Sequence, residues 1–446
     1  ICLSLSLLLW VNGLIDSLNR PSVADALSLR QLELTAMAAE AVEEPLRSSL
    51  FGEDPRGALA RELRQRAGQG GAGATPAPLA LQLELALLER GQQPEAVAAR
   101  LQGLEAQVEA PRRPLLQALI SGERLDGSLR SALLAPWQPS PMLSQLACEQ
   151  LGDGGSACPA TLAGPRLLLQ LAVVTVLPLP LLLIGVALLL RQLWLWRQRR
   201  LPPAPTPLGP PLGLVDVTLL IAGGFVLLGE VAVPPLLQAR LPGLLAGMGL
   251  SGSLLQGLLV LLLYLGLMAA PLLILALMLR GLGPPPQGGW LQWRWRPPLS
   301  ALFRALAAVL MVLPAVALCG WLIERLWHNP GGSNPLLDLV LTSSDPWALL
   351  CFAFTATVLA PLFEETLFRG VLLPVLAQRW GPVAAVLASA AVFALAHLSL
   401  SELVPLFVLG IGLGTLRWRS GRLAASVLMH ALWNGFTFLN LLVLAG

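Results

Sequence analysis

Hydrophobic and polar positions follow two different patterns along the chain, and each predicts its own kind of helical structure. Between residues 16 and 165, Leu and Ala recur every three or four positions with Glu, Gln and Arg between them, as in 78–90 and 93–109. This spacing predicts the amphipathic helices of a soluble segment. From residue 166 onward, long apolar runs predict helices that cross a membrane. The expected fold is an all-α, polytopic helical membrane protein with an N-terminal extramembrane helical segment.

Eight apolar runs follow the soluble segment, and we expect each to form a membrane span. They cover residues 167–190, 213–236, 250–279, 303–324, 347–379, 382–400, 403–416 and 423–445. Pro-rich and Gly-rich stretches at 201–212 and 281–289 indicate surface linkers between them. Residues 1–15 are apolar but short for a span, which needs about 20 residues. They predict a signal peptide or an N-terminal anchor, and an anchor would be a ninth span.

Composition supports lipid as the main solvent. Charged residues make up 12% of the 446 residues and the mean hydropathy is +0.70, whereas soluble domains average about 25% charged residues. The chain contains no Lys, which excludes Schiff-base lysine and Ser–Lys catalysis. No basic run with interleaved aromatic residues is long enough to predict nucleic-acid binding. The predicted organisation is therefore 1–15, a soluble segment at 16–165, and transmembrane regions at 166–300 and 301–446.

Arginine placement predicts the side of the membrane on which each connector lies. Twelve arginines lie in the connectors at 191–212, 280–304, 379–382 and 417–422, whereas the alternate connectors contain only Arg240 and Arg325. The positive-inside rule puts the Arg-rich set in the cytoplasm and residues 16–165 on the periplasmic or lumenal side. Cys148 and Cys158, the two cysteines of that segment, fit either a disulfide or two free thiols.

Ionisable residues within membrane spans are costly and are usually functional. The chain offers Asp216, Glu230, Glu324, the pair Glu364 and Glu365 with Arg369, and two of its three His residues, His397 and His430. The third, His328, lies in a connector between spans and is expected to be solvated.

The segment Pro361-Leu-Phe-Glu-Glu-Thr-Leu-Phe-Arg-Gly370 puts two carboxylates side by side in an apolar run. Adjacent helical positions point about 100° apart, so Glu364 and Glu365 face different neighbours. Arg369 lies on the same helix face as Glu365 and can pair with it. Glu364 is left without a local cation, and an unpaired carboxylate at low dielectric suits general acid–base chemistry. A purely structural carboxylate pair is the alternative.

His397 ends the segment Phe393-Ala-Leu-Ala-His397, which follows the helix breaker Arg379-Trp-Gly-Pro382. Glu364 and His397 are equally distant in sequence from the middle of this breaker. An antiparallel hairpin would therefore bring them to one depth, about 25 Å from the turn. Phe393 is expected to form a wall of the site. The alternative is a buried histidine with a structural hydrogen bond.

His430 and Asn434 are four residues apart, share a helix face and can reach one water or one carbonyl oxygen together. A helix–helix hydrogen bond is the alternative. His430 is also close in sequence to Arg422, which by counting puts it nearer the cytoplasm than Glu364. The two depths agree if residues 370–379 extend beyond the bilayer.

Other protease patterns are absent or weaker. No His-Glu-x-x-His zincin helix occurs, and no Gly-x-Gly-Asp aspartyl pattern lies in a span. Gly249-Leu-Ser-Gly252 matches the Gly-x-Ser-Gly of rhomboid-type serine proteases. However, Ser251 begins a span, where Ser is an ordinary helix cap.

Glu-Glu-x-x-x-Arg, Phe-x-x-x-His and His-x-x-x-Asn occur in this order within apolar runs. With these motifs residues 300–446 resemble the CPBP family, the CAAX prenyl endopeptidases and bacteriocin-processing enzymes also called the Abi family. The resemblance implies an intramembrane metalloendopeptidase. Its expected catalytic residues are Glu364, which would activate water, with Glu365, His397, His430 and the oxyanion-stabilising Asn434, supported by Arg369 and Phe393.

A metal and a substrate follow from the resemblance only in outline. Two His and one Glu suit Zn²⁺, so Glu364, His397 and His430 are the expected ligands if a metal is used, although a glutamate-activated water requires none. The expected partners are the bilayer and a membrane-associated peptide or protein substrate, with an unknown partner for 16–165. A non-catalytic scaffold or immunity protein of the same fold stays open. So does a transporter that uses Glu230, Glu364 and His397 as a proton relay.

Overall fold

The computed structural model describes residues 1–20, 23–68, 79–91, 93–137, 139–152, 158, 164–327, 335–343 and 345–445. The described residues are about 80% helical and form no β-strand. The predicted all-α class is therefore confirmed. His328, expected in a solvated connector, lies outside the described residues.

Eighteen helices of six or more residues run through the described ranges. They are α1 Cys2–Ser17, α2 Val23–Ala39, α3 Leu46–Phe51, α4 Pro55–Gly68, α5 Leu79–Glu89, α6 Pro94–Gln107, α7 Arg113–Ser121, α8 Gly127–Leu134, α9 Pro141–Leu151, α10 Gly164–Arg197, α11 Leu214–Gln238, α12 Leu241–Gly247, α13 Gly252–Arg280, α14 Pro298–Leu326, α15 Pro335–Thr342, α16 Pro346–Leu395, α17 Leu403–Ser420 and α18 Leu423–Ala445.

The chain divides into two compact units, one formed by Asp25–Pro178 and the other by Ile1–Ala24 together with Leu179–Ala445. The first unit contains short amphipathic helices whose Leu side chains form its core, such as Leu59, Leu83 and Leu116. Cys148 and Cys158 form a disulfide with 5.7 Å between their Cα atoms. Of the two states that the sequence left open for these cysteines, the disulfide is the one observed.

A pair of carboxyl groups lies inside the first unit. Glu33 and Glu84 are 3% and 4% exposed, and Arg30 pairs with Glu33 at 2.8 Å. The Ser140 hydroxyl donates to Glu84 Oε2 at 2.9 Å, while Glu84 Oε1 has no hydrogen-bond partner among the described residues. Burial, reinforced by the charge of Glu33, raises the pKa of Glu84 to about 8.

This raised pKa predicts that the first unit loses stability as pH rises. Between pH 4.5 and about 8 the folded unit keeps a proton on Glu84 that the unfolded chain releases, so unfolding becomes easier across this window. We expect amide hydrogen exchange in Leu79–Glu89 of the full chain to be faster at pH 8 than at pH 5, after correction for intrinsic rates. Glu84→Gln should flatten this dependence, and the exposed control Glu95→Gln should not. An unchanged pH dependence in Glu84→Gln would contradict the assignment.

The second unit carries the apolar helices. Among the described residues, six helices are long and apolar enough to cross a membrane: α10, α11, α13, α14, α16 and Leu423–Leu444 of α18. In their apolar windows only 6% to 44% of the residues are buried, and large side chains such as Leu183 and Trp196 are exposed at 71% and 66%. Such surfaces are stable against lipid rather than water. The chain is a multi-pass integral membrane protein.

The predicted count of eight or nine spans is not confirmed. The runs 347–379 and 382–400 are joined in α16, which has 50 residues. Gly381 breaks this helix with φ 76° and ψ 164°, a backbone conformation that glycine adopts without a steric penalty. The breaker predicted at 379–382 is therefore present, although helical structure resumes directly after it. α1 and α17 are not among the six.

Prolines explain why several of these helices widen locally. Wider π-helical turns occupy residues 172–176, 219–232, 355–359 and 366–372. Each ends two residues before a proline: Pro178, Pro234, Pro361 and Pro374. A proline has no N–H to donate and its ring collides with the carbonyl four residues earlier. In the preceding turn the backbone hydrogen bonds therefore join residues five apart instead of four apart. One result is a backbone carbonyl without its usual partner.

The Pro-rich connector 201–212 is more than the predicted surface linker. A Cβ added at Gly209 would lie 2.3 Å from Pro374 Cβ, so the backbone lies directly against α16. Arg417, which is fully buried, donates to the Leu208 carbonyl at 2.7 Å. Leu212 is 9% exposed. The end of the connector is therefore packed into the second unit. A buried guanidinium needs hydrogen-bond acceptors, and the carbonyl groups of this extended segment supply them.

Helix α17 packs closely on α16 at two glycines that lie one helical turn apart. A Cβ at Gly410 would lie 2.9 Å from Ala390 Cβ, and one at Gly414 would lie 3.2 Å from Val386 Cγ1. This close approach also lets the Gly410 carbonyl accept a hydrogen bond from Arg369 at 3.2 Å.

Substituting Ala for glycine is predicted to have opposite effects at two helical positions. Gly410→Ala should destabilise the protein by about 1–3 kcal/mol, because the new methyl overlaps Ala390 and the helices must separate. Gly320→Ala in α14, where no atom lies within 4 Å of the new Cβ, should be neutral or stabilise by up to about 1 kcal/mol. Equilibrium unfolding in detergent measures both. A neutral Gly410→Ala would show that the two helices do not meet there.

Candidate active site

A cavity of about 570 Å³ lies within the second unit and is lined by four of the five expected catalytic residues. Glu364, His397, His430 and Asn434 all line it. Most of the remaining wall is apolar and comes from α13, α15, α17 and α18, for example Val260, Leu336, Leu406 and Phe438. A few polar groups converging in an apolar cavity are typical of a ligand or substrate site.

Glu364 has one oxygen in use and one free. The Tyr264 hydroxyl donates to Glu364 Oε1 at 3.2 Å. Glu364 Oε2 is buried and has no hydrogen-bond partner among the described residues. It lies 3.8 Å from His397 Nε2 and 3.9 Å from His430 Nε2. The expected agreement in depth between Glu364 and His397 is therefore present, and His430 lies at the same depth.

Glu365 is fully buried and has a partner for each oxygen. Arg369 pairs with Oε1 at 2.8 Å, as its i,i+4 spacing predicted. His430 Nδ1 lies 3.0 Å from the same oxygen, and the Ser426 hydroxyl donates to Oε2. The two adjacent carboxylates thus have different surroundings, because only Glu365 has a cation beside it.

Arg369 connects this ion pair to the surrounding helices. Its guanidinium carbon lies 4.2 Å from the centre of the Phe393 ring, a cation–π contact. Phe393 is fully buried, and its ring centre lies 4.7 Å from that of His397 and 5.7 Å from that of His430. It forms a wall shared by both histidines, which is the position expected for it.

The neighbours of the two histidines determine which ring nitrogen carries the proton. His397 Nδ1 lies 2.8 Å from the Phe393 carbonyl, and His430 Nδ1 lies 3.0 Å from a Glu365 carboxylate oxygen. Both oxygens only accept hydrogen bonds, so each Nδ1 is the donor. In the neutral rings each Nε2 then carries a lone pair, and both lone pairs are on the side of Glu364.

Asn434 is held by a carbonyl that the helix distortion releases. In the π-helical turn at 355–359 the Ala360 N–H binds the Thr355 carbonyl. The Ala356 carbonyl would need an N–H at residue 361, which Pro361 lacks. The Asn434 amide donates to this carbonyl at 2.8 Å, so one of its two N–H bonds is used and the other stays available. His430 and Asn434 share a face, as their spacing predicted.

The donor set has the chemistry of a zinc site but wider spacing. Two imidazole nitrogens and a carboxylate oxygen suit Zn²⁺, whose bonds of about 2.0–2.1 Å put tetrahedral ligands about 3.3 Å apart. The observed separations from Glu364 Oε2 are 3.8 and 3.9 Å. No group of three His, Cys, Asp or Glu in the described ranges has the spacing to hold a metal ion. The residues as arranged do not fit a closed metal site, and the zinc expectation stays a prediction.

The other ionisable residues expected within spans lie elsewhere. Asp216 lies in the first turn of α11 and accepts from the Gly213 N–H at 2.7 Å. Glu230 accepts from the Trp10 indole at 3.2 Å, Glu324 is exposed, and the described residues that line the cavity include neither. Ser251 begins α13 but its side chain makes no capping hydrogen bond.

Sequence reasoning missed Tyr264 and Ser426. Tyr264 is the sole tyrosine of the chain, and its hydroxyl contacts Glu364. A single phenol within an otherwise aliphatic span was the available signal. Ser426 lies one helical turn before His430 and could have been placed on the same face by the spacing that relates His430 to Asn434.

Comparisons with known families agree with this geometry. Residues 346–436 match the Rce1-like type II CAAX prenyl endopeptidases, which is consistent with the CPBP resemblance and includes Glu364, His397, His430 and Asn434. The match indicates a CAAX-protease-like membrane endopeptidase. Residues 24–169 match a domain of unknown function, DUF8675. Neither the curated proteins nor the solved structures provide a match to this chain.

Proposed function

We propose that this protein is an intramembrane endopeptidase that hydrolyses a peptide bond near the membrane with a water molecule activated by Glu364. One observation carries the proposal: Glu364 Oε2 is buried without a partner and faces two histidine Nε2 atoms at 3.8 and 3.9 Å. A water molecule there would donate to the carboxylate and to a histidine lone pair. The similarity of residues 346–436 to CAAX prenyl endopeptidases supports the reaction class.

In the proposed reaction Glu364 takes a proton from water as the water oxygen attacks the scissile carbonyl carbon. The second O–H of the water donates a hydrogen bond to Nε2 of His397 or of His430, and this bond orients the water. The free N–H of Asn434 donates to the oxygen of the tetrahedral intermediate. Glu364 then gives its proton to the leaving amine as the carbon–nitrogen bond breaks.

Glu365 has a supporting role in this proposal. Its carboxylate accepts a hydrogen bond from His430 Nδ1–H, and its charge is balanced by Arg369. His430 is thereby fixed in the tautomer that leaves Nε2 free to accept. Zn²⁺ stays a prediction: Glu364, His397 and His430 would hold it, and it would supply Lewis-acid activation of the water.

The substrate would be a membrane-associated peptide or protein. The mostly apolar cavity wall suits a chain that approaches from the bilayer. The arginine distribution supports a cytoplasmic location for the connectors at 191–212, 280–304, 379–382 and 417–422. The disulfide between Cys148 and Cys158 supports a periplasmic or lumenal location for 16–165, since disulfides persist on oxidising sides of membranes.

The decisive prediction concerns Glu364→Gln. This change keeps the size of the side chain and its contact with Tyr264 but removes the base, so cleavage should fall by at least about a hundredfold. Quantitative mapping of new peptide termini in membranes that contain the wild type or the variant measures this without prior choice of a substrate. Chelation and metal analysis of the same purified protein report bound zinc.

Glu95→Gln, at an exposed position of the extramembrane unit, is the matched control and should leave the cleavage pattern unchanged. Both variants must be present at wild-type abundance. Full cleavage by Glu364→Gln would reject the peptidase proposal and favour a scaffold. Loss of solute movement without loss of any cleaved product would favour a transporter.

Tyr264→Phe is predicted to slow the reaction without abolishing it. The hydroxyl orients Glu364 through Oε1, the oxygen that does not face the histidines. Its loss removes one hydrogen bond to a charged group, worth about 1.5–3 kcal/mol, so kcat should fall by about tenfold or more with little change in KM. Activity equal to the wild type would show that Glu364 is positioned without Tyr264.

A further inference from the structure

Helix α1 buries two serines and a tryptophan and exposes large apolar side chains. Ser6, Trp10 and Ser17 are buried at 4%, 8% and 0% exposure, whereas Leu8 and Ile15 are exposed at 68% and 59%. The hydroxyl groups of Ser6 and Ser17 and the Trp10 indole therefore face the protein, while Leu8 and Ile15 face outward. This arrangement is stable for a helix that stays within lipid and packs against other spans.

Two hydrogen bonds join α1 to α11. The Ser6 hydroxyl donates to the Ala222 carbonyl at 2.9 Å. The Trp10 indole donates to Glu230 Oε2 at 3.2 Å. Both bonds lie among apolar side chains, where an unpaired donor or acceptor is costly. These bonds explain Glu230, the intramembrane carboxyl group that the cavity does not use.

The C-terminal part of α1 contacts the turn that carries His397. We define the His397 turn as residues 396–400, directly after the end of α16. The Ser17 hydroxyl accepts from the Leu400 N–H at 3.2 Å, and Arg20 donates to the Leu398 carbonyl at 3.4 Å. A Cβ added at Gly13 would lie 3.0 Å from Leu398 Cδ1, so the Leu398 side chain rests on the bare backbone of α1.

The His397 turn needs such support. α16 ends at Leu395, so His397 is not held by the regular hydrogen bonds of a helix. Leu398, the next residue, has φ +48°, a left-handed conformation that costs a residue with a Cβ roughly 1–2 kcal/mol. A strained residue beside a functional side chain persists only when its surroundings hold it there. Hydrogen bonds from the chain's own helix end supply part of this support, from the His397 N–H to the Ala394 carbonyl at 3.3 Å and from the Leu398 N–H to the Leu395 carbonyl at 3.1 Å. Helix α1 supplies further contacts.

We propose that α1 is a permanent part of the folded protein and that Gly13 and Ser17 are positioning residues that hold the His397 turn. They keep His397 Nε2 beside Glu364 Oε2 without touching either. The segment that the sequence left open as a signal peptide or an N-terminal anchor is thus required by the site. The effect on catalysis rests on the proposed peptidase function, whereas the contact itself does not.

Hydrogen exchange tests the contact directly in the full chain. Ser17→Ala removes the acceptor of the Leu400 N–H, so exchange of a peptide that covers 398–402 should be at least about tenfold faster than in the wild type. Ser17→Thr keeps the hydroxyl and should restore protection. Ser4→Ala, an exposed serine of the same helix, is the control and should change nothing. Equal exchange in Ser17→Ala and the wild type would overturn the proposal.

Paired cysteines test the register of α1. With Cys2, Cys319 and Cys351 replaced by Ala, the pair Gly13→Cys and Leu398→Cys should form a disulfide on mild oxidation in membranes, detected as a linked peptide. The pair Ile15→Cys and Leu398→Cys should not, because Ile15 faces outward. Linkage only in the second pair would overturn the proposal.

Catalysis is the third readout. For a peptide that spans a cleavage site found by the mapping of new termini, Ser17→Ala should lower kcat about tenfold with KM within about twofold. Ser17→Thr should recover most of the loss. Faster exchange at 398–402 with an unchanged kcat would reject the positioning role. If Glu364→Gln keeps full cleavage, the peptidase proposal fails, while exchange and cross-linking still decide whether α1 holds the turn.

Discussion

The buried ion pair between Glu365 and Arg369 is the interaction on which the rest of the site depends. Both side chains have no exposed surface, and two charges removed from water are stable only when each has close partners. Arg369 finds them in Glu365, the Gly410 carbonyl and the face of Phe393. Glu365 finds them in Arg369, His430 and Ser426. This single pair of charges therefore connects the two parts of α16 on either side of Gly381 with α17 and α18.

This pair gives two adjacent glutamates different properties. Glu365 uses its charge on structural partners, and one of these is the Nδ1 proton of His430. Glu364 faces the cavity, holds one phenol and leaves its second oxygen free. Adjacent residues of a helix point in different directions. Glu365 can therefore support the structure while Glu364 faces the cavity.

Prolines and glycines supply the irregular backbone that the site needs. Pro361 widens the turn that frees the Ala356 carbonyl for Asn434. Gly410 lets α17 approach until its carbonyl reaches Arg369. Within a membrane such carbonyls must find donors inside the protein, because lipid offers none. The distortions and the polar side chains therefore depend on one another.

Much of this arrangement could be predicted from local spacing. The pairing of Glu365 with Arg369 and the shared depth of Glu364 and His397 both follow from helix periodicity and turn position. The number of spans could not be predicted from spacing, because helical structure continues on both sides of the break at Gly381 in α16. The contact of Tyr264 and those of α1 also could not be predicted, since they join segments 100 or more residues apart and no periodicity relates such segments.

The central claim, that Glu365 supports the structure while Glu364 is kept free, is tested most directly by comparing the unfolding of two isosteric variants. The free energy of unfolding in detergent should fall by about 3–5 kcal/mol in Glu365→Gln, which leaves the buried Arg369 without its counter-ion. In Glu364→Gln, which removes no ion pair with an arginine, it should change by less than about 1 kcal/mol. An equal loss in both variants, or a larger loss in Glu364→Gln, would contradict this division of roles.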